Sequence, residues 1–168
     1  GESGTIIRLK HGERIYPNGL VDVSNIDVYC QPVVLSDPFQ TDIITLRGGE
    51  EEKFVTKFNY KGFRYVEVTS NNPVELEKES LTAYFIHSDV PQVGFIHSSD
   101  SLINRLWRAT NNSYLSNFVG YPTDCPQREK NGWTGDAHLA IETALYNFDG
   151  ITVYEKWLAD HRDEQQPN

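Results

Sequence analysis

Ser98-Ser-Asp-Ser-Leu-Ile-Asn-Arg-Leu-Trp-Arg-Ala-Thr110 is where this chain changes its period. From Leu102 onward the apolar residues fall at Leu102, Ile103, Leu106 and Trp107, then at Thr110, Tyr114 and Phe118. That is the spacing of an amphipathic helix, and serines are available to cap its start. Upstream the pattern has period two. Thr5–Lys10, Ile26–Cys30, Asp42–Arg47, Phe54–Tyr60, Phe63–Val68 and Leu81–His87 are β-branched or aromatic runs, separated by Pro17-Asn-Gly19, Gly48-Gly49 and Asn71-Asn-Pro73. Short strands at this spacing imply an antiparallel β-sandwich, and Lys61-Gly62 reads as a hairpin turn between two aromatic strands. Downstream, a second helix is expected from about Thr134 to Asn147, burying Ala137, Ala140, Ile141, Ala144, Leu145 and Phe148. Asp149-Gly150 ends it, and a third helix runs from Thr152 to about Glu164, with Val153 and Trp157 inward and a stop before Pro167. The expected fold is a segregated α+β chain, strands in 1–97 and helices in 98–168. Three helices are too few to enclose a deep pocket, so the chain is expected to be a piece of something longer.

Between the first two helices lies Pro122-Thr-Asp-Cys-Pro-Gln-Arg-Glu-Lys-Asn-Gly-Trp-Thr-Gly-Asp136. This loop brings three carboxylates, an arginine and a tryptophan together. Carboxylates bond sugar hydroxyls or move protons, arginine fixes a hydroxyl or a neighbouring carboxylate, and an indole face stacks on a pyranose. The same composition also suits a polar turn whose acids cap the following helix, and residue types alone do not separate the two.

The formal net charge of −9 and the lack of a Lys/Arg cluster argue against a nucleic-acid partner. An apolar fraction of 38% is enough for a core, yet no apolar run approaches the ~20 residues of a membrane span. The start, Gly-Glu-Ser-Gly-Thr5, has no signal pattern, which leaves secreted, periplasmic and cytoplasmic locations open. Two cysteines, Cys30 and Cys125, read as buried thiols rather than a disulfide framework.

The run Thr123–Ala137 resembles the signature of the α-L-rhamnosidases of glycoside hydrolase family 78. Phe58–Val68 is similar to that family's β-domain strands, Leu102–Thr110 to the first helix of its (α/α)6 barrel, and the tail Ala159–Gln165 is similar to the family as well. The resemblance implies an inverting glycosidase that removes terminal α-linked L-rhamnose from an oligosaccharide or glycoside, with no cofactor. It places Glu129 where the family's proton donor falls in its shorter-loop members. Asp124, Arg128, Trp133 and Asp136 match positions that line the rhamnose subsite, the polar groups on hydroxyls and the indole on the ring. The family's general base is a glutamate on a later helix, with no match in this chain. The three helices are then the first of an incomplete barrel, and their apolar faces are expected to remain partly exposed.

An inverting reaction needs both groups. A general acid protonates the departing oxygen while a base activates water on the opposite face, the carboxyls being ~6.5–9.5 Å apart. The acid must hold its proton near neutral pH. Asp124 and Asp136 as like charges and burial against Trp133 favour that state, whereas Arg128 opposes it, and sequence leaves the balance open. A non-catalytic carbohydrate-binding module and another (α/α)6-barrel glycosidase are the competing readings. His138 and Glu142, four apart on a helix, lack an evident third metal ligand and read as a packed or solvent-facing pair. His161 between Asp160 and Asp163 reads as a solvated helix end, Glu50-Glu-Glu52 as an exposed turn, and His87 and His97 have no assigned role. Oligomeric state is not readable.

Overall fold

A computed structural model describes residues 1–26, 39–49 and 51–165. All but the first residue of the strand expected at Ile26–Cys30 lies outside them, as do Cys30 and Pro167. Among the described residues the chain forms a mixed structure of a few antiparallel strands and three α-helices, in two compact units. One comprises Gly1–Tyr84 with Pro126–Glu129, the other Phe85–Cys125 with Lys130–Asn168.

In the first unit, β1 (Ile6–Gly12) is the middle strand of a sheet ordered β4-β1-β5, with β4 at Thr41–Thr45 and β5 at Tyr65–Ser70. Both neighbours are antiparallel, and Leu9 stands opposite Asp42 on one side and Val68 on the other. A two-stranded ribbon, β2 (Arg14–Ile15) with β3 (Val21–Asp22), turns through Pro17-Asn-Gly19. Gly19 takes φ = 86° there, a conformation that glycine adopts without a Cβ clash. Val21, Val23 and Ile26 form a small core with Phe39. Lys10 Nζ donates to the Val21 carbonyl at 2.8 Å, and the Val21 N–H to Glu67 at 2.7 Å, tying ribbon to sheet.

Several expectations fail here for identifiable reasons. Phe54–Tyr60 and Leu81–His87 are not strands, and Phe58 is 98% exposed. Alternating apolar residues make a strand only where a partner edge completes the ladder, and among the described residues neither run has one. The strand expected from Phe63 begins at Tyr65. Lys61-Gly62 is not a hairpin turn. The Lys61 side chain is buried, its ammonium 2.9 Å from Asp42, and Gly62 has no positive φ. Gly62 is needed for close approach instead: an added Cβ would lie 2.9 Å from the Gln127 backbone nitrogen and 3.0 Å from the Pro126 carbonyl carbon. Glu52 is also more than an exposed acid. Its carboxylate accepts from the backbone N–H groups of Arg47, Gly48 and Gly49 at 2.9, 3.0 and 3.4 Å, bonds that hold it below the usual carboxylate range.

His11, 7% exposed, sits with Nδ1 3.1 Å from the Gln40 carbonyl and its ring edge-on to Phe63. Burial disfavours the imidazolium and lowers the group from its ordinary 6.5. A depressed folded-state value contributes stability above the unfolded value and loses it as pH falls through the folded one. The urea midpoint of this unit is therefore expected to fall between about pH 7.5 and about pH 5.5. His11→Gln should shrink that difference, and an unchanged difference would show that other groups carry it.

In the second unit, α1 spans Ser101–Ser116, α2 Thr134–Asn147 and α3 Ile151–Asp163. Asp100, not a serine, caps α1: its Oδ1 accepts from the Leu102 N–H at 2.8 Å, while Ser98 Oγ accepts from the Asp100 N–H. The helix stops before Phe118, which bridges to Pro122 as extended backbone yet still enters the core. That core joins Val90, Tyr114, Phe118, Ala144, Phe148 and Tyr154, with Ala140, Ile141, Val153 and Trp157 packed against it. Tyr154, unforeseen, is buried with its hydroxyl 3.1 Å from that of Tyr114, and Leu145, expected inside, is exposed. Leu102, Ile103, Leu106, Leu139 and Leu158 are likewise exposed.

Candidate active site

The Pro122–Asp136 loop leaves the end of α1 through a fixed point. The Thr123 N–H and hydroxyl both donate to the Asn117 carbonyl, at 2.8 and 3.1 Å, with Thr123 buried. Asp124 follows, and its groups are bound to the returning limb. Its backbone N–H donates to the Asn131 carbonyl at 3.1 Å, and its Oδ1 accepts from the Asn131 N–H at 2.8 Å. Its Oδ2 accepts from the Cys125 thiol at 2.7 Å. The Asn131 carbonyl also accepts from the Trp133 N–H at 3.0 Å, which aims the chain into α2. Lys130, just inside this closure, is held at φ = 53°, a left-handed conformation that costs a non-glycine residue about 1 kcal/mol or more.

The middle of the loop, Pro126–Glu129, groups with the first unit. There Gln127 lies against Gly62 and its Nε2 donates to Glu13 at 3.2 Å. Arg128 and Glu129 are side by side, Nε 3.8 Å from Oε1, each about a third exposed. In the second unit, Asp124 and Asp136 line one cleft of about 540 Å³ between α1 and α2, together with Thr110, Ser113, Asn117 and Thr123. Two carboxylates among hydroxyl and amide groups form a surface suited to a polyhydroxylated ligand. Trp133 stands at the head of α2, 51% exposed and not among the residues lining the cleft. It occupies the cap position without a capping side-chain bond, and Asp136 lies in the first turn, where the helix dipole favours a negative charge.

The remaining candidates are ordinary surface groups. His138 and Glu142 are both exposed, and among the described residues no group of three or more His, Cys, Asp or Glu is placed to hold a metal ion. His161 packs edge-on to Trp157, with Nδ1 3.0 Å from the Trp157 carbonyl. No described helix is long and apolar enough to cross a membrane. Asn131 was missed by sequence reasoning, because it acts through its backbone and carries no residue-type signal.

Residues 1–87 match the bacterial α-L-rhamnosidase concanavalin-like domain, and residues 91–168 the bacterial α-L-rhamnosidase 6 hairpin glycosidase domain. The chain belongs to the bacterial α-L-rhamnosidase family. An α-L-rhamnosidase of Streptomyces avermitilis is 34% identical over 166 residues, 98% of this chain and 15% of the relative. One from Formosa agariphila is 36% identical over 123 residues, 72% of the chain and 13% of the relative. This rhamnosidase chain thus spans only about a seventh of those relatives. Among solved structures, the α-L-rhamnosidase from Dictyoglumus thermophilum superimposes with a TM-score of 0.83 at 37% identity, covering 99% of this chain and 18% of its own. The Streptomyces avermitilis α-L-rhamnosidase complexed with L-rhamnose gives a TM-score of 0.82 at 34% identity, covering 99% and 15%.

Proposed function

We propose that this chain is a segment of an inverting α-L-rhamnosidase that cleaves terminal α-L-rhamnose from rhamnosides, and that it carries the general acid of the reaction but not the general base. The observation behind this reading is the Asp124–Asp136 loop, whose acids, arginine and tryptophan lie in a chain aligned over 98% of its length with an α-L-rhamnosidase. The L-rhamnose in the Streptomyces avermitilis structure supports a rhamnoside as ligand. In architecture, residues 1–97 would belong to an antiparallel β-sandwich and residues 98–168 to the first helices of an (α/α)6 barrel.

In this mechanism Glu129 gives its proton to the glycosidic oxygen as the bond to the anomeric carbon breaks. A base from outside these residues takes a proton from the water that attacks the opposite face, so the product is β-L-rhamnose. Asp124, Arg128 and Asp136 hold ring hydroxyls, and Trp133 packs against the ring. The cleft lined by Asp124 and Asp136 supplies polar groups suited to that grip. Glu129 stands beside Arg128, so its carboxyl works next to a permanent cation.

Without a base, the purified 168-residue chain is expected to release no phenol from an aryl α-L-rhamnoside above the uncatalysed rate. The whole enzyme is expected to show β-L-rhamnose first in proton NMR. Turnover by the chain alone, abolished in Glu129→Gln, would overturn the division of labour; α-L-rhamnose appearing first would overturn the inverting mechanism.

A further inference from the structure

We infer that Gly62 is a positioning residue for the proton donor: Pro126 and Gln127 lie on its bare Cα, and this seat in the strand-rich unit sets where Glu129 is presented. The inference rests on the proposed proton-donor role of Glu129. Pro126–Glu129 groups with the first unit, so the segment that carries the acid is seated there. A Cβ at position 62 would lie 2.9 Å from both the Cβ and the backbone nitrogen of Gln127, and 3.0 Å from the Pro126 carbonyl carbon. Ordinary contact between such atoms begins near about 3.5 Å, so any side chain here forces a shift of about half an ångström or more. The nitrogen and the carbonyl carbon are backbone, which cannot swing aside as a side-chain end does. The seat itself is braced. The Gln40 amide donates to the Gly62 carbonyl at 2.8 Å, the Lys61 ammonium bonds Asp42 at 2.9 Å, and the Arg64 N–H donates to the Gly12 carbonyl at 2.9 Å. Those bonds tie residues 61–64 to β1, to β4 and to the residue before β4. The bond from Gln127 to Glu13, by contrast, is an exposed one of 3.2 Å. The segment therefore gives way before the seat does, and Glu129 stands two residues along it. Gly62 has no positive φ, so alanine is not strained there by its own backbone and the contact is what the substitution changes.

A displaced acid shows itself by leaving group. Phenol leaves poorly and needs the proton, so losing a general acid altogether costs about 10²–10⁴-fold. Dinitrophenol leaves without help, so the same defect is nearly silent. Looser packing with no bearing on the acid lowers the folded fraction, which slows both substrates alike and cancels in their ratio. In the whole enzyme, Gly62→Ala is expected to cut kcat on phenyl α-L-rhamnoside about tenfold, while the dinitrophenyl substrate falls less than about twofold. Gly62→Val, bulkier at the same point, should widen that gap to about 10²-fold. Any rise in KM, from Arg128 moving on the same segment, should be shared by the two substrates. Equal losses on both substrates in G62A, or no loss, with Glu129→Gln still selective for the phenyl one, would overturn the seat and leave the acid assignment standing. A Glu129→Gln variant equally slow on both would remove the acid assignment and the seat with it. Should neither glycine variant fold, Gln40→Asn decides. Asparagine tolerates the left-handed backbone at position 40, φ = 54°, but its shorter side chain withdraws the amide from the Gly62 carbonyl. A loss selective for the phenyl substrate then supports the seat, and an equal loss or none overturns it.

Discussion

Phe118→Ala is expected to destabilise the helical unit by about 3–5 kcal/mol, the usual cost of deleting a buried aromatic ring. Phe118 is 0% exposed and stands at the centre of its cluster. Its ring lies 5.0 Å from that of Tyr114 and 5.6 Å from that of Tyr154, so its loss opens a cavity among aromatic side chains with little freedom to collapse. Its backbone is fixed too, the carbonyl accepting from the Ser88 N–H and the N–H donating to Leu115. The measurement is selective because Trp107, Trp133 and Trp157, the three tryptophans of the chain, all belong to this unit. Urea unfolding followed by tryptophan fluorescence should show the full loss in F118A. Leu139→Ala, at a position 83% exposed, should stay within about 0.5 kcal/mol of the parent. A loss below about 1 kcal/mol in F118A would show that the cluster does not hold the unit together.

Phe118 also marks the limit of reading this fold from periodicity. Its place in the 3.6-residue pattern correctly made it core, but the helix ends two residues earlier, and an extended bridge delivers the same ring to the same cluster. The bounds of α2 were legible at both ends. A Pro/Gly-rich loop precedes it and Phe148-Asp-Gly150 follows, local signals that need no knowledge of the partner. Strands are different, because pairing is non-local. Thr41–Thr45 and Tyr65–Ser70 find β1, whereas Phe54–Tyr60 carries an equally strong pattern and is not paired among the described residues. Gly62 shows the same limit at one residue: its presence was legible, but its cause is the backbone of Gln127, 65 positions away. In the candidate site the residue types were legible in the sequence. Their bonding was not, because Asp124 is held by a backbone N–H and carbonyl that any residue but proline at position 131 would offer.

Glu129→Gln is expected to lower kcat of the whole enzyme on phenyl α-L-rhamnoside by about 10²–10⁴-fold, some 2.7–5.5 kcal/mol of transition-state stabilisation. Glutamine keeps the shape and removes only the proton that the departing oxygen requires, so KM should change little and the dinitrophenyl substrate should lose far less. Glu129 pairs with Arg128 at 3.8 Å, both about a third exposed, and an ion pair of that kind contributes less than about 1 kcal/mol. A denaturation midpoint close to the parent's should therefore accompany the loss of turnover. Arg128 makes the experiment sharper still. Arg128 is proposed to grip a sugar hydroxyl and not to move a proton. Arg128→Gln should then weaken substrate binding through the lost hydroxyl grip without opening the gap between leaving groups that Glu129→Gln opens. If instead Glu129→Gln slows both leaving groups equally, the glutamate serves binding alone, and the proton must come from another residue.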